Sequence, residues 1–288
     1  SPLLALPCEI RLQILSYLVL PSPPDPFNPL PPIDYDHRTR TAPLDHHAYS
    51  PSSSIVPPHP SHPILELRLI DPTHVLAGSC AAGAFLRTPC TIRSDRFRAR
   101  TMSTTYHFTS PSRLYPAILA TCAQLHDEGA ELLYGTCVFS FDTHVEAIVP
   151  FLGDLTPFSR KMVRRLALVK RGLPYEREFD RAEWEGMCRF LAREMRLLHL
   201  DLGVVAGRPG EQGWDGVKEL RKEDFEACSG IEGMEWVEQA ADIRTKNVTV
   251  RAIVEHCPTP RSERMAWWVM FSKSVEGGFA EFVKGLIV

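Results

Sequence analysis

The chain has 288 residues with 44% hydrophobic and 23% charged side chains, the balance of a globular protein rather than a disordered one. A formal net charge of −3 excludes a global attraction to nucleic acid or to an anionic membrane, so either contact would need a local basic patch. No apolar run approaches the roughly 20 residues that cross a bilayer.

Eight cysteines, at positions 8, 80, 90, 122, 137, 188, 228 and 257, show no C-x-x-C pair and no regular spacing. They read as reduced, mostly buried thiols, which points to a cytoplasmic or nuclear setting. The first residue is Ser1 rather than Met, so no targeting signal at a native N-terminus can be read.

The first element is an amphipathic helix in "LLALPCEIRLQILSYLVLP" (3–21). Leu6, Ile10, Ile14 and Leu18 recur at steps of four and define one face, and Leu15 widens it. Pro7 fits a first turn and Pro21 ends the run. Periodicity alone is satisfied equally by a helix packed on its own core and by one that docks a partner.

Proline then marks a boundary: 13 of the 25 prolines lie between Pro21 and Pro63. Proline carries no N–H for a helix or sheet ladder, and this stretch has few apolar side chains to offset the entropy of ordering it. Residues 21–63 are therefore expected to form a disordered insert. Its histidines, His37, His46, His47, His59 and His62, lack Cys partners at finger spacing, so no metal site is expected.

Residues 64–112 form a strand-containing insert. "ILELRLI" alternates as a strand, as does "RFRARTMSTTYHF", where Arg96, Arg98 and Arg100 share a face; an edge hairpin is expected. "SPSRLYPAILATCAQLHDEGAELLYG" predicts one helix, with Ile118, Cys122, Leu125, Gly129 and Leu132 on a face, Pro116 in the first turn and Gly135 at the stop. "CVFSF" follows as a strand and "HVEAIVPFLGDL" as a short helix.

From residue 161 the pattern alternates. "VRRLALV" (163–169), "RLLHLDLGVV" (196–205) and "NVTVRAIVEH" (247–256) read as strands. "DRAEWEGMCRFLAREM" (180–195) reads as a helix burying Trp184, Met187, Cys188 and Leu191, and "KEDFEACSGIEGMEWVEQAAD" holds one or two helices. "MAWWVMF" (265–271) is expected as a buried strand before a closing helix, "EGGFAEFVKGLI". Such alternation favours a parallel sheet built from right-handed crossovers. The Leu-rich strands suggest an irregular leucine-rich-repeat-like arc without a fixed period.

Two motifs carry a resemblance. "LPCEIRLQILSYL" is similar to the start of an F-box: Leu-Pro, Glu-Ile, Ile-Leu and a terminal Leu. "ILATCAQLHDEGAELLYGTCVFSF" resembles the companion segment of filamentous-fungal F-box-like proteins, in Cys122, Glu128, Leu133-Tyr134-Gly135 and Phe139-Ser140-Phe141. An ordinary F-box continues directly into its second and third helices, whereas here residues 21–112 intervene.

The resemblance implies an α+β protein in which residues 1–20 supply an F-box-like first helix and 113–160 complete the helical region. These helices would pack on an α/β, leucine-rich-like region at 161–288. It further implies a non-enzymatic adaptor that docks the Skp1 subunit of a cullin ubiquitin ligase through Leu6, Pro7, Glu9, Ile10, Ile14, Leu15 and Leu18 while other surfaces capture a protein substrate. The first alternative is a self-contained scaffold whose first helix is wholly core and never meets Skp1; behind it stand a nucleic-acid-binding protein and an enzyme whose site the sequence does not reveal.

A basic cluster, Arg160, Lys161, Arg164, Arg165, Lys170 and Arg171, could hold phosphates or an acidic peptide. The net charge and the lack of interleaved aromatic residues argue against nucleic acid. No Gly-rich phosphate loop, nucleophile elbow or H-E-x-x-H is present, and no cofactor is expected. His126, Asp127 and Glu128 are consecutive on a helix and so diverge by about 100° per step rather than converging on one metal or proton.

Overall fold

The computed structural model describes residues 2–21, 62–70, 91–95, 100–108, 114–142, 144–171, 178–209, 213–227 and 233–287. The Pro-rich stretch 22–61 and the alternating residues Arg96 and Arg98 lie outside them.

Seven strands form one sheet: β1 (Ile64–Ile70), β2 (Thr91–Asp95), β3 (Arg100–Phe108), β4 (Val138–Ser140), β5 (Arg165–Lys170), β6 (His199–Pro209) and β7 (Val248–Cys257), in the order β2-β3-β1-β4-β5-β6-β7. The two strands expected within residues 64–112, β1 and β3, pair antiparallel, but the sheet edge is β2, a strand not read from the sequence, which pairs antiparallel with β3. β1, β4, β5, β6 and β7 are all parallel.

Among these five, spatial order equals chain order. Each crossover therefore moves one place in the same direction and returns the chain to the end of the sheet at which the parallel strands begin. α1 (Cys8–Val19) precedes the sheet, and α2 (Ala123–Thr136) leads into β4. α3 (Ile148–Asp154) and α4 (Pro157–Met162) connect β4 to β5, and α5 (Glu178–Glu194) connects β5 to β6. α6 (Lys222–Ala227) and α7 (Glu235–Ala241) connect β6 to β7. α8 (Glu263–Lys273), a π-turn and α9 (Ala280–Ile287) close the chain.

One hydrophobic core runs across the predicted segment boundaries. It joins Val19 of α1, Leu65 of β1, Leu133 of α2, Phe139, Leu166, Leu200 and Val250 of the sheet, and Trp184 and Leu191 of α5. On the opposite side chains of the central strands, Val169, Val205 and Ile253 form a second apolar cluster. Burial on both faces is why β5 and β6 read as near-continuous apolar runs. Trp184 Nε1 donates to Trp236 O at 2.9 Å and the two rings meet edge to face, so this large buried indole keeps its hydrogen bond.

Two expectations are corrected. Residues 265–271 are not a strand but the middle of α8: Ser262 Oγ accepts from Met265 N, Glu263 occupies the first turn and Lys273 the last. The run holds a single β-branched residue, Val269, and its flanking cap and charges favour helix. The helix predicted through residues 116–135 is broken. Pro116–Ala120 form a 3-10 turn closed by Thr121 Oγ1 donating to Ile118 O at 2.7 Å, Cys122 is extended, and α2 starts at Ala123. Gly135 sits inside the last turn, and Cys137 is the C-cap.

Candidate functional site

α1 presents a different face to the core from the one its leucine and isoleucine spacing suggests. Leu15 and Val19 are buried at 0% and 1% exposure, and between them and the N-terminus lies Arg11, also buried. Its Nε and Nη2 donate to Glu128 Oε2 and Oε1, both at 2.6 Å, while Nη1 donates to Leu6 O at 2.8 Å and Leu4 O at 3.3 Å. The bidentate fork ties α1 to α2 and holds the N-terminal turn in place. Gln124 Nε2 adds a bond to the same carboxylate. Arg11 holds the Glu128 carboxyl below its ordinary value, and Glu128 raises the guanidinium in return.

Because positions 11, 15 and 19 face α2, the adjoining face turns outward. Ile10 is 46% exposed and Tyr17 68% exposed; Ile14 between them is half-buried, so spacings of four and three give one stripe. Pro7 and Glu9 are exposed, and Leu6 and Leu18 are half-buried. Of the seven residues predicted to meet a partner, Leu15 is in the core. Only the other six have surface to offer.

Two further exposed aromatic residues belong to segments packed on the same helix pair. Tyr115 N donates to Leu18 O at 2.8 Å, which fixes the 3-10 turn beside α1, and its ring is exposed. Phe158 is exposed on α4, which packs against α2, and its ring approaches His126 at 6.1 Å. Neither aromatic was read from the sequence as a surface residue. The pattern could have revealed Tyr17, which falls seven positions after Ile10.

The predicted basic cluster does not form one surface. Arg160 is spent inside the fold: Nε donates to Leu152 O, Nη1 to Glu194 Oε2 at 3.0 Å, and the guanidinium lies 5.7 Å from the Phe190 ring centre. Arg165 Nη1 donates to Gly135 O at 2.6 Å, at the end of α2. Lys170 is buried with Nζ 5.0 Å from the Trp184 ring centre and 6.0 Å from that of Trp236. Lys161 is exposed and Arg171 half-buried. Arg164 alone opens onto a depression of about 630 Å³, where it is joined by Arg196, Arg244 and Lys246.

No group of three His, Cys, Asp or Glu suited to a metal ion occurs among the described residues. Glu128 is committed to Arg11, and His126 Nδ1 contacts Asp127 Oδ1 at 3.1 Å on the exposed side. At the C-terminal end of β4, His144 and Glu146 are buried with Nδ1 and Oε1 4.0 Å apart, close to Asp142, whose φ of 49° is left-handed. Burial pushes the Cys137 and Cys188 thiols up to about 12, so neither is a nucleophile at neutral pH. Among the described residues no helix is long and apolar enough to cross a membrane.

Comparison of the chain with protein-family models, with curated proteins and with solved structures gave no match.

Proposed function

We propose that this chain is a non-enzymatic interaction adaptor whose N-terminal helices dock a Skp1-like subunit of a cullin ubiquitin ligase. The observation that carries the reading is the outward stripe of Ile10, Ile14 and Tyr17 on α1, with Pro7 at its start. A helix serving only its own core would turn its largest apolar side chains inward. Here the inward positions are taken by Arg11, Leu15 and Val19, and the stripe is left for a partner.

Support also comes from the two resembling motifs, which meet in space. Arg11 of the first bonds Glu128 of the second, across the chain length that separates them. The half-buried Leu6 and Leu18 would form the edges of the contact and Glu9 its polar rim, while Leu15 stays behind it as the helix's anchor.

The test is co-purification with Skp1, using wild type and a Leu6→Ala/Ile10→Ala variant whose folding is checked by circular dichroism. Stoichiometric capture by wild type, lost in the folded variant, is the expected result. A folded wild-type chain that captures no Skp1 would sink the adaptor reading and favour the self-contained scaffold.

A further inference from the structure

In a sheet whose parallel strands follow chain order, every crossover returns the chain to the same end of the strands, so the segments leading into β5, β6 and β7 lie side by side. Backbone bonds stitch them together. Leu198 N and His199 N donate to Arg164 O at 2.8 and 3.2 Å, Leu197 N donates to Arg244 O at 2.9 Å, and Lys246 N donates to Leu197 O at 3.2 Å. Neighbouring strands are about 4.8 Å apart, so cations on these segments stand within one short span.

Each lead-in segment carries a cation: Arg164 before β5, Arg196 before β6, Arg244 and Lys246 before β7. All four line the depression of about 630 Å³, and Asp242 is its sole acid. Four cations against one carboxylate give the depression a charge of +3 in a chain whose net charge is −3. Among the described residues none of the four makes an ion pair or a side-chain hydrogen bond. Arg160, Arg165, Arg251 and Lys273, by contrast, are each bonded to a protein oxygen.

The floor is apolar: Leu197, Ile243 and Ile287 are buried beneath the charged rim, with Leu198 half-buried beside them. No aromatic side chain lines the depression, so it lacks the stacking platform that single-stranded nucleic acid uses. A small inorganic anion would leave the apolar floor uncovered. Helix C-termini attract cations, which accounts for Arg196 following α5 and Arg244 following α7 one at a time, but not for the convergence of all four on one apolar hollow.

We infer that this end of the sheet binds an acidic peptide segment of a partner protein, its carboxylates meeting Arg164, Arg196, Arg244 and Lys246 and an apolar side chain resting on Ile243 and Ile287. The inference deepens the adaptor reading, and rests on it only for calling that partner a substrate.

The probe is a short fluorescein-labelled peptide alternating Glu or Asp with Leu, followed by anisotropy on the full chain, with the Gln/Asn version as control. Saturable binding that weakens with salt and is absent for the amide control is expected. Arg196→Glu/Arg244→Glu should cost about tenfold or more in affinity, since two attractions become repulsions. Should that variant fail a melting check, Arg196→Gln/Lys246→Gln, which only neutralises exposed side chains, replaces it.

Equal affinity in the folded variant, equal affinity for the amide peptide, or no binding by wild type overturns the inference. Tighter binding of a single-stranded oligonucleotide or of polyphosphate than of the acidic peptide also overturns it. Skp1 capture by the charge variants separates this surface from the one on α1: it should be unchanged, so a failure of peptide binding with capture intact rejects the depression alone.

Discussion

Truncating Leu15 and Ile10, which sit five residues apart on α1, should separate anchoring from docking. Leu15 is fully buried, with its Cδ2 3.9 Å from the point where a side chain on Gly129 would begin. Leu15→Ala removes three carbon groups at about 0.8 kcal/mol each. Gly129 has no side chain to move into the space, so a cavity term adds and the total should fall at about 3 to 4 kcal/mol, within the range measured for such truncations. Ile10 is nearly half exposed, so Ile10→Ala should lose about 1 kcal/mol of burial and regain a few tenths from alanine's helix propensity. Urea unfolding followed by far-UV circular dichroism measures both, with comparable slopes required for the comparison. The expected outcome is a strongly destabilised Leu15→Ala chain and an Ile10→Ala chain that is nearly as stable as wild type yet deficient in Skp1 capture. Equal losses of stability, or a larger loss at Ile10, would show that the face through Leu6, Ile10, Ile14 and Leu18 turns inward, and the docking argument would fail with it.

Two other outcomes follow from the packing and from the buried ion pair. A Cβ on Gly207 would lie 1.9 and 2.1 Å from Cη2 and Cζ3 of Trp268, a ring that is 2% exposed, so Gly207→Ala should destabilise by about 1–3 kcal/mol or more. In combination with Trp268→Leu the loss should be smaller than the sum of the singles, and an additive double-mutant cycle would refute the clash. The Glu128 carboxyl is depressed in the folded chain by Arg11, so below its ordinary value near 4.5 the unfolded chain binds more protons there than the folded one. The pair's contribution is then complete above that value and lost as pH falls through the depressed one. Glu128→Gln should flatten the acid limb of the stability profile, and superimposable wild-type and variant profiles between pH 5 and 2 would count against it.

The strands were legible where burial on both faces left unbroken apolar runs, as at 165–170 and 199–209, and so was α5, whose Trp184, Met187, Cys188 and Leu191 all point inward. Short apolar runs were not decisive. "MAWWVMF" fits a buried strand or a buried helix equally well, and only Ser262 before it and Lys273 after it tip the balance to helix. Which face of α1 turns inward could not be read from the spacing, because apolar periodicity treats arginine as a surface residue. Arg11 is inside, since Glu128 lies on α2 to receive it. The basic cluster failed for a geometric reason: side chains on a strand alternate, so Arg165 and Lys170 at the two ends of β5 point to opposite sides, while Arg164 precedes the strand. Its replacement could not be read from spacing, because Arg196, Arg244 and Lys246 become neighbours of Arg164 only once the order of β5, β6 and β7 is known.

That order also connects the two proposed surfaces. α1 is locked to α2 by the Arg11–Glu128 fork and by Leu15, and α2 runs into β4 through Cys137. Arg165, the residue after Arg164, bonds Gly135 O at the end of α2. The path from the stripe on α1 to the first cation of the depression therefore passes through one helix, one buried ion pair and one side-chain to backbone bond, with no long loop among its steps. A partner on α1 and a peptide in the depression would be held in a fixed relation, because the elements between them share one core. An adaptor that presents a substrate to a bound enzyme complex needs this rigidity. Cutting the path with Arg165→Ala, which leaves both surfaces chemically intact, should loosen their coupling without abolishing either binding event.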